Sequence, residues 1–170
     1  MFLPHFHTLR MHYNTSPDPE EVKRNIGGDL AAAFYIKNTC VVRVCEALNK
    51  CGSPMHHIQF GKGMKTKKGA DHLNYGYRVR EFREYMKDIY REVHIIKEKG
   101  DKINKNDFIN RQGIIAFGVS GWEDATGHFS LWDGHNVLYQ GGHEYFGLPT
   151  YNPLNGHIYL TDVMLWICEL

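Results

Sequence analysis

Between Asn38 and Gly52 the apolar positions Val41, Val44, Cys45, Leu48 and Cys51 recur at helical spacing. Val42 adds an apolar residue off that stripe and leaves little polar face, so the pattern predicts a buried helix. Asn38 or Thr39 stands where its cap belongs, and Gly52-Ser53-Pro54 ends it. A second stripe, Val79, Phe82, Tyr85, Met86, Ile89 and Tyr90, predicts an amphipathic helix within YRVREFREYMKDIYREV, its charges opposite. Upstream, SPDPEEVKRNIGG reads as a short helix capped by Ser16 or Asp18 and stopped by Gly27-Gly28. The segment DLAAAFYIKN then leads into the buried helix, and residues 53–75 read as a loop.

From residue 113 the pattern changes to that of strands. GIIAFGV is a short apolar run, as in a strand buried on both faces. HFSLW alternates, Asp133-Gly134 is a hairpin turn signal, and NVLYQ is expected to return as the partner strand. YLTDVMLWIC reads as a last strand. Helices first and strands later predict one α+β domain over residues 1–170, with a mostly antiparallel sheet.

Composition narrows the function classes. The 42% hydrophobic and 23% charged content is that of a globular protein, and a net charge of +1 gives no electrostatic reason to expect nucleic acid. No apolar run reaches the ~18 residues of a membrane span. The start, MFLPHFHTLRMHYN, has no secretory-signal pattern, so synthesis in the cytoplasm is expected, with export by another route. The four cysteines, Cys40, Cys45, Cys51 and Cys168, show neither a disulfide framework nor a zinc-binding CxxC pair.

Cys40 is the residue whose position suits chemistry. Free N–H groups and the helix dipole at a first turn stabilise a thiolate, and the same groups can hold an oxyanion. His128 opens a strand after Gly127, which lets the backbone turn tightly, and a strand is a fixed platform for a general base. A helix-capped cysteine followed downstream by a strand histidine is the order of papain-type peptidases. A third group should orient the imidazole. A two-residue turn at Asp133-Gly134 pairs His128 with Tyr139, and a three-residue turn pairs it with Gln140, whose amide oxygen can accept an imidazole N–H. Asn38 and Gly127, near the two candidate residues, and Trp122, placed to line a cleft rim, are the candidates for holding the oxyanion or the substrate. A rival cluster, His128, Asp133, His135 and His143, lacks the spacing of a zinc motif. The basic run Lys62, Lys65, Lys67 and Lys68 is either a solvated face or an attractor of acidic ligands.

The blocks IGG (26–28), NTCVVRVCEALNKCG (38–52), YGYRVREFREYM (75–86), GIIAFGVSGWEDATGHFSLWDG (113–134) and VMLWI (163–167) span nearly the whole chain. In these blocks and their order the sequence resembles the fourth family of type VI secretion amidase effectors, papain-like enzymes related to the NlpC superfamily. The resemblance implies a cysteine DL-endopeptidase that cleaves the γ-D-glutamyl–diaminopimelate bond of peptidoglycan stem peptides without metal or other cofactor. It implies Cys40 as nucleophile and His128 as base. Where the family often has an acidic third residue this chain has Tyr139, so Gln140 or a bare dyad are the alternatives. It also implies injection by the type VI apparatus into the periplasm of rival bacteria, and a cognate immunity protein. An acyltransferase or deamidase, or a non-catalytic binder on the same scaffold, are the other readings.

Overall fold

A computed structural model describes residues 2–55, 63–90, 93–98, 103–121, 126–150 and 158–169. Four helices come first: α1 (Phe6–Met11), α2 (Pro19–Ile26), α3 (Gly28–Ala32) and α4 (Cys40–Lys50). A two-stranded ribbon, β1 (Thr66–Lys68) and β2 (Asn74–Gly76), precedes α5 (Val79–Tyr90). The remaining strands, β3 (Ile95–Lys97), β4 (Gly113–Ser120), β5 (Gly127–Trp132) and β6 (Tyr159–Ile167), form one sheet in the order β3-β6-β4-β5. All its neighbours are antiparallel, as expected for an α+β fold.

The apolar run on β4 has its reason in this arrangement. Successive side chains of a strand point to opposite faces. Ile114 and Ala116 enter the core shared with the helices, while Ile115, Phe117 and Val119 enter a second core with Phe108, Trp132 and Tyr145. Both faces of the sheet are therefore covered, and no polar alternation survives in the centre.

Helix α4 is the hub. Every residue from Cys40 to Asn49 is buried, and the helix packs on β5, β2, α1 and α5. Its buried polar groups are held individually: the Asn49 amide donates to the Asn74 carbonyl and its oxygen accepts the Met55 N–H. On α2, Lys23 is 1% exposed, and its ammonium donates to the Ala33 and Ile36 carbonyls at 2.7 and 2.9 Å. That pair of bonds fixes the short segment between α3 and α4, which carries Tyr35 to Asn38.

Three sequence expectations are corrected here. NVLYQ does not return as a strand: only Val137 bridges Trp132, and Leu138 N–H reaches the Leu131 carbonyl. The Asp133 carboxylate caps the N–H groups of His135 and Asn136, which makes a longer loop than either expected turn. The Ser130 hydroxyl then takes the Tyr139 N–H, so a side chain replaces the next ladder bond and the chain leaves the sheet. Second, residues 53–75 are not all loop, since Thr66–Lys68 pairs with Asn74–Gly76. Third, Gly127 makes no tight turn. It lies in β5 opposite Gly118, and a Cβ there would stand 2.0 Å from the Phe117 carbonyl oxygen. Helix α1 and strand β3 were not legible in the pattern, being too short to show a period.

Gly28 joins α2 to the ribbon. Its φ is +63°, and a Cβ would stand 2.5 Å from the Gly69 carbonyl carbon. Both objections apply at once to any side chain, and both are backbone effects that no rotamer relieves. Gly28→Ala is expected to lower unfolding free energy by about 2–4 kcal/mol, from left-handed strain plus overpacking. Urea denaturation of the two proteins side by side checks this.

Candidate active site

Thr39 is the N-cap of α4, but its side chain makes no capping bond; Asn38 instead accepts the Cys40 N–H at 3.0 Å through its side-chain oxygen. Cys40 opens the helix and is 1% exposed. The backbone N–H groups of Val41 and of Phe129, the residue that follows His128 on β5, act on its sulfur and favour the thiolate. The helix start and the outer edge of β5 thus meet at the thiol. Tyr145 neighbours both Cys40 and His128. Its ring stacks on the imidazole with centroids 4.7 Å apart and planes 9° apart, and its phenol lies within electrostatic reach of Cys40.

The group that orients His128 is neither side chain named from the sequence. The imidazole Nε2 lies 2.7 Å from the main-chain carbonyl oxygen of Tyr139. A carbonyl only accepts, so Nε2 carries the hydrogen and Nδ1 carries the lone pair. Gln140 is exposed, and its amide donates to Glu144 instead. The single bridge between Trp132 and Val137 explains why: continued along β5, that register sets His128 opposite Gly141, beyond both expected partners. Gly141 has φ +67°, and a Cβ there would stand 3.0 Å from His128 Cε1 and 3.4 Å from Nδ1. A glycine at that position keeps the basic edge of the ring clear.

His128 is 2% exposed. Burial pushes its pKa down to about 4; the Tyr139 carbonyl opposes this, while Arg43 and His143 add to it. Burial pushes the Cys40 thiol up to about 11, against the N–H groups of Phe129 and Val41, the Arg43 charge and Asn38, which favour the thiolate. At neutral pH the resting pair is thiol and imidazole.

A cleft of about 620 Å³ opens at His128, and Cys40, buried behind Asn38, is not part of its lining. Asn38, His128, Tyr139, Gly141 and Tyr145 line it, together with Tyr35, Lys37, Tyr77 and Arg78. Gly127 is not in its lining, and Trp122 lies outside the described residues. Asp133 is engaged in its turn, and among the described residues no group of three or more His, Cys, Asp or Glu could hold a metal ion. Lys65, Lys67 and Lys68 lie at and on β1, and Lys67 stands over the Tyr35 ring, which links the basic run to the cleft wall. Tyr145, Tyr35 and Tyr77 were missed from the sequence. None carries a motif, and only the folded chain brings them to the cleft that His128 lines. No helix among the described residues is long and apolar enough to cross a membrane.

Comparison with known proteins places this geometry in context. Residues 36–166 match the family model described as type VI secretion system (T6SS), amidase effector protein 4, Tae4. The fold is similar to the type VI effector–immunity complex Tae4–Tai4 from Enterobacter cloacae, with TM-score 0.81 and 27% identity over 99% of this chain and 100% of that chain. It is similar to Tae4 alone from the same organism, with TM-score 0.79 and 27% identity over 99% and 98% of the two chains. It is also similar to the Tae4–Tai4 complex from Salmonella Typhimurium, with TM-score 0.78 and 25% identity over 97% and 98%. No curated protein matches the chain.

Proposed function

The chain belongs to the amidase effector protein 4 family of the type VI secretion system, and from that premise we propose that it is a cysteine amidase hydrolysing the γ-D-glutamyl–diaminopimelate bond of peptidoglycan stem peptides. The observation that carries the cysteine mechanism is the imidazole lining the cleft, its Nε2–H on the Tyr139 carbonyl, one residue along β5 from the Phe129 N–H that acts on the helix-start thiol.

In this reading His128 Nδ1 takes the Cys40 proton as the sulfur attacks the scissile carbonyl. The oxyanion is held by first-turn N–H groups of α4, that of Cys40 among them once its bond to Asn38 opens. His128 then gives the proton to the leaving amine, and water hydrolyses the thioester with the same imidazole as base. The substrate assignment draws support from the cleft walls. Lys37 and Arg78 set two cations beside aromatic Tyr35 and Tyr77, and stem peptides offer carboxylates next to the bond to be cut. Delivery by the type VI apparatus into the periplasm of a rival cell, and inhibition in the producer by an immunity protein of the Tai4 kind, complete the proposal.

Digestion of purified stem peptides, read by mass spectrometry, tests it. The expected products are a free γ-carboxyl on D-glutamate and a free amine on diaminopimelate, formed equally with chelator present and abolished by iodoacetamide. Transfer of the glutamyl group to an added amine, or loss of activity with chelator, overturns the reading.

A further inference from the structure

Arg43 is a fully buried cation on the helix of the nucleophile. Its Nε donates to the Thr39 hydroxyl at 3.1 Å, and its Nη1 donates to the Asn14 carbonyl at 3.0 Å and to the Ser16 carbonyl. Its Nη2 has no hydrogen-bond partner among the described residues, and no ion pair joins it to a carboxylate there. What the guanidinium does face is the Tyr139 ring, 3.5 Å from centroid to carbon. A buried arginine normally ends on an acid, because an unpaired buried charge is costly. Here the planar cation lies on an aromatic face, and that aromatic residue is the one whose carbonyl holds the imidazole.

The Tyr139 main chain has no strand to hold it, since the ladder ends at Val137. Two contacts replace it. Ser130 Oγ accepts the Tyr139 N–H at 3.0 Å, with Tyr13 Oη on the same hydroxyl at 3.2 Å. Arg43 fixes the ring. We propose that Arg43 is a positioning residue for the catalytic pair: by clamping the Tyr139 ring it holds the carbonyl that orients His128, and it sets a permanent positive charge behind Cys40.

The two roles separate experimentally. The groups facing the pair are Arg43 and Cys45 from α4, Tyr13 from the segment after α1, and Tyr139, His143 and Tyr145 from the segment after β5. Arg43 is the one permanent charge among them. Its removal must raise the Cys40 pKa, because an opposite charge favours the thiolate. A merely structural loss, by letting water in, would lower that pKa toward 9.0, the value of an unburied thiol. The sign of the change tells them apart.

The test uses Arg43→Gln, Arg43→Lys, Tyr139→Leu and Tyr139→Phe in the full chain, with two readouts that need no substrate and so stand apart from the amidase reading. One is the ¹⁵N tautomer pattern of His128 at neutral pH. The other is the iodoacetamide rate at Cys40 against pH, with Cys40 resolved from the other cysteines by peptide mass spectrometry. The wild type and Tyr139→Phe are expected to show the Nε2–H tautomer alone. Tyr139→Leu and both Arg43 variants are expected to show a mixture. Arg43→Gln is expected to slow alkylation at pH 8 by about threefold or more, and Arg43→Lys to keep the wild-type rate while still mixing the tautomers. With substrate, Tyr139→Leu is expected to lower kcat roughly tenfold. A single Nε2–H tautomer in Tyr139→Leu overturns the clamp. Faster alkylation in Arg43→Gln overturns the charge role. If Arg43→Gln does not fold, the Tyr139 pair alone decides the clamp and Arg43→Lys the charge role, which fails if its alkylation rate departs from wild type.

Discussion

Cys40→Ala is expected to lose stem-peptide hydrolysis by about 10⁴-fold or more in kcat while remaining folded. The proposal gives the sulfur a covalent role, and no other side chain can form the acyl intermediate in its place. The rest of the constellation survives the change, because His128 is held by the Tyr139 carbonyl and Tyr145 and not by the thiol. Removing one buried sulfur from a well-packed helix start leaves a small void and costs roughly 1 kcal/mol. Amine release followed by chromatography, beside a thermal melt of the same sample, checks both halves. Another cysteine serves as an internal control. Cys168 is buried at the end of the last strand, with its thiol pushed up to about 12 by desolvation, so Cys168→Ala should leave kcat unchanged.

His128→Asn is expected to cost about 10³-fold in kcat, within the range of a lost general base, and to change how stability responds to acid. The imidazole is buried neutral, with its pKa pushed from 6.5 down to about 4. Between those values the unfolded chain takes up a proton that the folded chain refuses. The unfolded state then binds more protons, so unfolding free energy falls as pH falls through that window and is fully retained above it. The loss attributable to this one residue is on the order of 3 kcal/mol by pH 4. Urea midpoints at pH 7 and pH 4.5 should diverge for the wild type, and by less for His128→Asn. An equal divergence would mean that the imidazole is not held neutral by the fold.

How far this site could be read from the chain depended on whether a local pattern marks each part. Cys40 was legible because cap, apolar period and stop signal all lie within NTCVVRVCEALNKCG. His128 was legible as the head of an alternating strand. The group that orients it was not. A carbonyl is present on every residue, so nothing in sequence distinguishes that of Tyr139. The hairpin rule also misplaced the register, because Asp133 caps two N–H groups and lengthens the loop, and Ser130 then takes the next bond from the ladder. The covered second face of the sheet explains why β4 read as a plain apolar run. Arg43 shows the opposite failure. A charged residue amid Val41, Val42, Val44 and Cys45 was visible, yet its meaning rests on Tyr139, Asn14 and Ser16, far away in the chain.

The measurement that reaches the central claim most directly is a side-by-side incubation of native protein and Cys40→Ala with native stem peptides, read by mass spectrometry within the first turnovers. The account predicts cleavage at the γ-D-glutamyl–diaminopimelate bond by the native protein alone, with a transient mass increase on the peptide containing Cys40 equal to the acyl fragment. Cleavage by Cys40→Ala at the native rate, or cleavage at another bond with no adduct on Cys40, would contradict it.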